Sequence, residues 1–443
     1  MKKKLSTIGI LFMLVLKHPP MPEFSKMKIN TNFSSHLLAI ILFAGFLFLL
    51  SGCKKEEPTP VQPGVTWQYI ETYDLQKLNH ILNAELEEFL TTSTMHLADF
   101  QGQFAVPAYP VKLYRVTYPT VVPELGISTM ASGLVAIPDN GLDSMPVVSY
   151  QHGTVAARTA CPSYPDSSLE ASLMIAQFAS QGYIVIGADF IGLGVSDQPH
   201  ADFVRLSTEQ ACIDMLNAAD KVLKEQKIRK GPLFLHGWSQ GGWATMTFLR
   251  KLEAMNISVT AASTACAVAD FFPHMDRWIN DPQPGDSPAL PAVVANCIFA
   301  CAYYNGLTSL PSYAIKPEYL QASKDLFEWK MDLNTFLLKT TMHVRDLLRP
   351  EFLSPGNTGS VPFWQVLEQA QSYRWRCQTP LRMYYGEVDN IVPIFLATLP
   401  AAYQNQLGCN TIAISAGATA DHRAGYVYSL IHVKPWFDEF LKK

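Results

Sequence analysis

From Pro146 to Ala267 the chain alternates short apolar runs with longer segments of helical period. Pro146–Tyr150, Tyr183–Ala188, Leu233–His236 and Ile257–Ala267 read as buried strands. Ser167–Gln181, Ser207–Lys227 and a run ending at Leu252 read as the helices between them, the first two opening on capping boxes, Ser167 with Glu170 and Ser207 with Gln210. Strand and helix in strict succession predict a mostly parallel sheet with helices on both faces, because each parallel crossover must pass over a face. Ahead of it, residues 74–99 read as helix. Val111–Tyr118 and Thr129–Ile137 then form an antiparallel pair suited to a sheet edge, followed by a turn at Pro138-Asp139-Asn140-Gly141.

After Asp270 the alternation stops. Ala292–Tyr304, Pro317–Met331, Leu333–Leu348 and Pro362–Tyr373 read as helices broken by prolines, before strands return at Pro380–Tyr385 and Asn410–Ser415 and a last helix runs from Ala424 to Leu441. The expected organisation is an α/β core over residues 65–269 and 377–443, with an inserted helical cap over 270–376. In open sheets of this kind ligands bind at the carboxyl ends of the strands, which is where such a cap belongs. The chain of 443 residues is 48% hydrophobic and 16% charged, which excludes global disorder. A net charge of −4 without a dense basic block excludes a nucleic-acid grip.

Chemistry concentrates where strand Leu233–His236 meets the helix ending at Leu252. The junction reads Gly237-Trp238-Ser239-Gln240-Gly241-Gly242. A strand that turns at once into a helix forces an unusual backbone on the residue at the corner, and flanking glycines remove the clashes that would forbid it. Ser239 would then project from the sheet edge beside a helix N-terminus, whose free N–H groups favour a developing anion. A serine hydroxyl needs a base to act as a nucleophile. Of the histidines after the last strand, His422 falls on the loop before the final helix, whereas His432 lies inside that helix and reads as packing or surface. A carboxylate must orient the imidazole. Asp389, in Gly386-Glu387-Val388-Asp389-Asn390, is the choice, with Glu387 and Asp270 as competitors. The oxyanion would be held by the N–H of Gln240 and, from His152-Gly153-Thr154, by that of Thr154. His152 reads as a residue that braces the loop. No metal or organic cofactor is expected.

Together these motifs resemble the α/β-hydrolase fold family, and within it bacterial secreted esterases and lipases with "QHGT" and "GWSQGG" patterns. Asp189-Phe190-Ile191-Gly192-Leu193-Gly194-Val195-Ser196 is similar to that family's D-Y-x-G-x-G-x-S loop, with Phe190 in the tyrosine place. The resemblance covers about residues 111–270 and 378–441. It implies a structural role for the 189–196 loop and hydrolysis of a small-molecule carboxylic ester through an acyl-enzyme. A serine peptidase of the same fold, or a catalytically silent surface binding module, are the alternatives. Phe327, Trp329, Phe336, Phe363 and Trp364 could line an acyl pocket or merely pack the cap.

The first 53 residues read as an address. Two apolar runs, Ile8–Leu16 and Leu37–Leu50, each follow lysines, and the second ends in Leu50-Ser51-Gly52-Cys53. That ending resembles the bacterial lipobox, which implies acylation of Cys53, cleavage before it and anchorage of an exported protein to a cell-envelope membrane, the outer one by the Lys54 that follows. Residues 1–26 read as an upstream extension, and 54–64 as a solvated tether. Residues 1–52 hold six basic side chains and one acidic, so the rest of the chain carries −9, and lipid rather than charge would hold it to a membrane. Seven further cysteines match no zinc module, and Cys377 with Cys409 is the favoured disulfide.

Overall fold

The computed structural model describes residues 64–353 and 359–442. The signal segment, Cys53 and all but the last residue of the tether lie outside them. Among the described residues nine strands form one sheet in the order β1-β2-β3-β5-β4-β6-β7-β8-β9. The strands are β1 Thr66–Tyr73, β2 Val111–Val122, β3 Ile127–Pro138, β4 Ser144–Gln151, β5 Ile184–Ala188, β6 Arg229–Trp238, β7 Ala261–Ala265, β8 Leu381–Tyr385 and β9 Thr411–Ser415. The pairings β1–β2, β2–β3 and β3–β5 are antiparallel. From β5 through β4, β6, β7 and β8 to β9 every pairing is parallel. The carboxyl ends of these strands therefore share one edge, and the loops after them open there.

Side chains alternate between two cores, one on each face of the sheet. Val147, Ile184, Ile186 and Leu235 enter the first, which also receives α2 (Arg205–Glu225) and α3 (Gln240–Ala254). Val148, Val185 and Phe234 enter the second, with α1 (Leu169–Gln177) and the final helix. This is the period of two expected of strands buried on both sides. Between β7 and β8 the chain is helical, including Phe271–Asn280, α4 (Leu290–Tyr304), Pro317–Phe327 and α5 (Val361–Gln369). Its apolar residues, Ile298 and Phe363 among them, continue the first core. The helix α6 (Ile394–Gln406) connects β8 to β9, and α7 (His422–Leu441) ends the chain's described part. No helix among the described residues is long and apolar enough to cross a membrane.

Several local expectations are corrected. Strand β1 was not foreseen: it is an edge strand with mostly part-exposed residues, and so lacks a continuous apolar run. Nor was α6. The expected helix over 74–99 is α-helical at Leu75–His80, π at Ile81–Glu85 and α again at Leu86–Phe89, and resumes only at Leu97–Phe100. Neither capping box forms. Ser168, not Ser167, caps α1 through its side chain, while the Glu170 carboxyl reaches the Gly153 N–H. Ser207 lies inside α2 and bonds Glu124. In both cases a tertiary partner outcompetes the local one. The seven described cysteines are free thiols. Cys377, rather than pairing with Cys409, directs Sγ to the Thr379 carbonyl at 3.2 Å.

Candidate active site

Ser239 stands at the corner between β6 and α3 with φ 57° and ψ −121°. This left-handed φ is costly for a residue with a Cβ and persists only where the surroundings enforce it. Here the Ser239 N–H donates to the Ala265 carbonyl at 2.9 Å, and its own carbonyl accepts from Val268 at 3.3 Å. Gly241 must be glycine, since a Cβ there would strike the Gln151 carbonyl. The hydroxyl is therefore carried on a pinned corner at the carboxyl end of β6. Gln240 is the first residue of α3, so no carbonyl one turn earlier in the helix can receive its N–H.

Asp389 comes from the loop after β8, while His422, expected on the loop before the final helix, is instead the first residue of α7, because Asp421 caps the helix two residues earlier than the apolar pattern indicated. His422 Nδ1 lies 3.0 and 2.9 Å from the two Asp389 oxygens. A carboxylate only accepts, so Nδ1 carries the proton and Nε2 is left as the acceptor nitrogen. Asp389 Oδ1 also accepts from the N–H groups of Ile391 and Val392, each at 2.8 Å, and its side chain is wholly buried. Three donors thus fix the carboxylate. His422 Nε2 is buried and has no hydrogen-bond partner among the described residues, Ser239 Oγ included.

Two residues that sequence reasoning passed over hold His422. Trp238, the neighbour of Ser239, donates its indole N–H to the His422 carbonyl at 3.0 Å, and the two rings lie 5.1 Å apart. Asp421 caps α7 through Ala424 N–H at 2.9 Å and also receives Ser93 Oγ at 2.7 Å and Thr94 N–H at 2.9 Å. An aspartate just before a helix start is a legible cap signal. Its second set of partners, more than three hundred residues away in the chain, is not legible.

The expected competitors lie elsewhere. Glu387 accepts from Ser415 at 2.6 Å. Asp270 pairs with Arg374 at 3.2 Å, and burial raises its pKa to about 6. His432 stacks on Tyr428 at 3.8 Å. His152 is buried, stacks on Phe190 at 4.2 Å and meets the Asp189 carbonyl at 3.1 Å. Burial pushes its pKa down. Asp189 in turn receives Ser163 N–H at 2.8 Å and Ser132 Oγ at 2.5 Å, so the 189–196 loop is knitted to β3 and to the segment after β4.

The loop carrying Thr154 has a further support. Both Glu170 oxygens lie 3.0 Å from the Gly153 N–H. Glu170 is buried, and burial raises its pKa to about 8, against the lowering effect of Tyr150 and Gly153. Thr154 Oγ1 donates to Gln240 Oε1 at 3.1 Å, tying together the two residues expected to hold the oxyanion. Cys266 Sγ, an Asp389 oxygen and a His422 ring nitrogen lie within 4.8 Å of one another. Among the described residues this is the grouping of metal-ligand type. Its carboxylate already receives the His422 proton, so the cluster belongs to the Asp–His pair. Phe327 stacks on Phe299 at 5.5 Å, and Phe363 and Trp364 pack on Phe352 at 5.6 and 5.7 Å, as aromatics that fill the helical block do.

A candidate hydrolase from Legionella pneumophila superposes with a TM-score of 0.73 at 22% identity, covering 85% of this chain and 97% of its own. The chain has the α/β-hydrolase fold. The rice cell wall degrading esterase LipA from Xanthomonas oryzae, in a ligand-bound form, shares this α/β-hydrolase architecture with a TM-score of 0.69 at 23% identity over 84% of this chain and 96% of that one. Candida antarctica lipase A in its closed state gives 0.61 at 17% identity over 74% and 78%. The model of the prolyl oligopeptidase family, peptidase S9, matches residues 169–287, the stretch that holds the Ser239 corner. No curated protein sequence matches the chain.

Proposed function

We propose that the protein is a serine hydrolase of carboxylic esters. The observation that carries the reading is the Asp389–His422 pair, whose free Nε2 lies buried beside the Trp238 that adjoins the strained Ser239. In the cycle, His422 Nε2 takes the Ser239 proton as Oγ bonds to the ester carbon. The carbonyl π pair moves onto oxygen, where the N–H groups of Gln240 and Thr154 stabilise it. The intermediate collapses, the ester C–O bond breaks, and His422 returns the proton to the departing alcohol. Water then repeats these steps on the acyl-enzyme, releasing the acid and Ser239. Asp389 keeps the productive tautomer and offsets the imidazolium charge.

Esterase and lipase neighbours of the same fold support the ester over the amide. The peptidase S9 match favours the second reading, amide cleavage by the same residues. Comparing p-nitrophenyl esters with peptide p-nitroanilides separates the two. Ser239→Ala is expected to abolish p-nitrophenyl ester turnover with an unchanged far-UV circular dichroism spectrum, and unchanged turnover would reject the proposal. A silent binding module would leave Ser239 unlabelled by a fluorophosphonate.

The proposal includes anchorage of the exported protein through an acylated Cys53. Cys53→Ser is expected to move it from the membrane fraction to the soluble one, and continued sedimentation with membranes would count against the anchor.

A further inference from the structure

Ser239 and His422 sit on different elements, and His422 Nε2 makes no hydrogen bond to Ser239 Oγ. Proton transfer needs the two atoms within about 2.6–3.2 Å, and a misplacement of roughly 1 Å can cost about 10²-fold in rate. A set of contacts that bears on their approach comes from outside the parallel sheet. Between β1 and β2 the chain makes an excursion through the short helices Leu75–His80 and Leu86–Phe89 before it reaches Leu97–Phe100. Residues 89–94 of this excursion form a strap that touches both partners of the relay.

On the serine side the contact is aromatic. Phe89 is 3% exposed, and its ring meets that of Trp238, the chain neighbour of Ser239, edge-on at 5.5 Å. On the histidine side the contacts are mostly polar. Ser93 Oγ donates to Asp421 Oδ1 at 2.7 Å, and the Thr94 N–H to Oδ2 at 2.9 Å. Thr94 Oγ1 donates to the Thr419 carbonyl at 2.6 Å. Arg423 Nη1 donates to the Phe89 carbonyl at 2.9 Å, and its guanidinium lies 4.7 Å from the centre of the Phe89 ring. These partners, Thr419, Asp421 and Arg423, bracket His422 in the chain. Tyr426 of α7 closes the circuit, packing on Phe89 at 5.6 Å and stacking on Trp238 at 5.0 Å.

Asp421 is buried, and a buried carboxylate depends on its donors. Two of its three donors come from the strap, and the third is the Ala424 N–H of its own helix. The start of α7, where His422 stands, is therefore tied to residues 89–94 more than to the sheet beneath it. We propose that Phe89, Ser93 and Thr94 are positioning residues for the proton transfer, gripping Trp238 beside the nucleophile and Asp421 and Arg423 beside the base, and so setting the approach of His422 Nε2 to Ser239 Oγ. The inference rests on Ser239 and His422 being nucleophile and base.

The test loosens the strap on its histidine side. Ser93→Ala combined with Thr94→Val removes two hydroxyl bonds at positions that are not buried and keeps the Thr94 N–H. With p-nitrophenyl acetate, kcat of the double variant is expected to fall roughly ten- to a hundredfold with KM little changed. Ser93→Thr, which keeps the hydroxyl, is expected to retain most of the rate. Phe89→Leu, which loses the ring contacts with Trp238, Tyr426 and Arg423, is expected to show the same loss in kcat. If Phe89→Leu fails to melt cooperatively, the double variant decides. A double variant that melts lower but turns over at the wild-type kcat would overturn the proposal, since the strap would then serve stability alone. A loss carried by KM instead of kcat would overturn it as well. Fluorophosphonate labelling of the same preparations separates the two levels: an unlabelled wild-type Ser239 sinks the nucleophile reading, whereas equal labelling rates in wild type and the double variant sink the strap alone.

Discussion

The rim of the sheet and the helical block between β7 and β8 are held by different physics. At the rim, each side chain of interest is fixed by named hydrogen bonds. Asp389 takes three donors, Asp421 takes three, and Gly153 is pinned on Glu170. In the block, order comes from apolar contact: Phe336 and Phe363 are fully buried, and aromatic pairs such as Phe352–Trp364 fill the space between short helices. Directional bonds define a geometry to tenths of an ångström, and packing defines a volume. Substitutions at the rim should therefore change rate with little change in stability, and substitutions in the block should do the reverse.

Among the residues that support Ser239, the largest effect is expected at Asp389. Asp389→Asn preserves shape but can present its amide N–H to the ring and so favour the wrong tautomer, and kcat should fall by about 10⁴-fold. Glu387→Gln, two residues away on the same loop, should leave steady-state kinetics unchanged, because its carboxylate addresses Ser415. Equal losses in the two variants would mean that the loop, and not the Asp389–His422 contact, is what matters.

Next comes Glu170, whose bond to Gly153 sets the peptide that precedes Thr154. Glu170→Leu is expected to lower kcat by roughly ten- to a hundredfold with little change in KM, while Glu170→Gln, whose carbonyl can still accept, should recover most of the rate. Its pH behaviour gives a second readout. The folded-state pKa lies near 8 through burial, above the unfolded value of 4.5. The folded protein thus holds the proton more tightly, so this contribution to stability is complete below about pH 4.5 and is lost as pH rises through 8. Between pH 5 and 9 the melting temperature of wild type should fall more steeply than that of Glu170→Gln, and parallel curves would contradict the assignment.

The smallest effect on rate, and the largest on stability, is expected in the block. Phe363→Ala should cost about 3 kcal/mol in a denaturant melt, yet the folded fraction should still be labelled at Ser239 by a fluorophosphonate. Loss of labelling in a variant that remains folded would show that the block shapes the nucleophile directly.

The same contrast explains what the sequence made legible. Leu233–His236 followed by Gly237-Trp238-Ser239 announces a strand, a corner and a helix within a dozen residues, and local signals of that kind carry the parallel core and the Ser239 turn. Asp389 and His422 were singled out because each follows an apolar strand, and the structure places them 2.9 Å apart. Glu170 was misread as a capping residue since its real partner, Gly153, lies on another loop. Trp238 lies within the Gly237–Gly242 run, but nothing local announces its bond to the His422 carbonyl. Strand β1 escaped because an exposed edge strand lacks the buried pattern, and within the block prolines marked helix breaks without telling which aromatic packs on which.

The most direct test is to trap the acyl-enzyme. Wild-type protein mixed with p-nitrophenyl acetate and quenched in acid within the first turnover should yield one acetyl group by mass spectrometry, on the peptide containing Ser239, while Ser239→Ala yields none and His422→Ala accumulates it far more slowly. An acetyl group on any other residue, or turnover by the Ser239→Ala protein at the wild-type rate, would contradict the account.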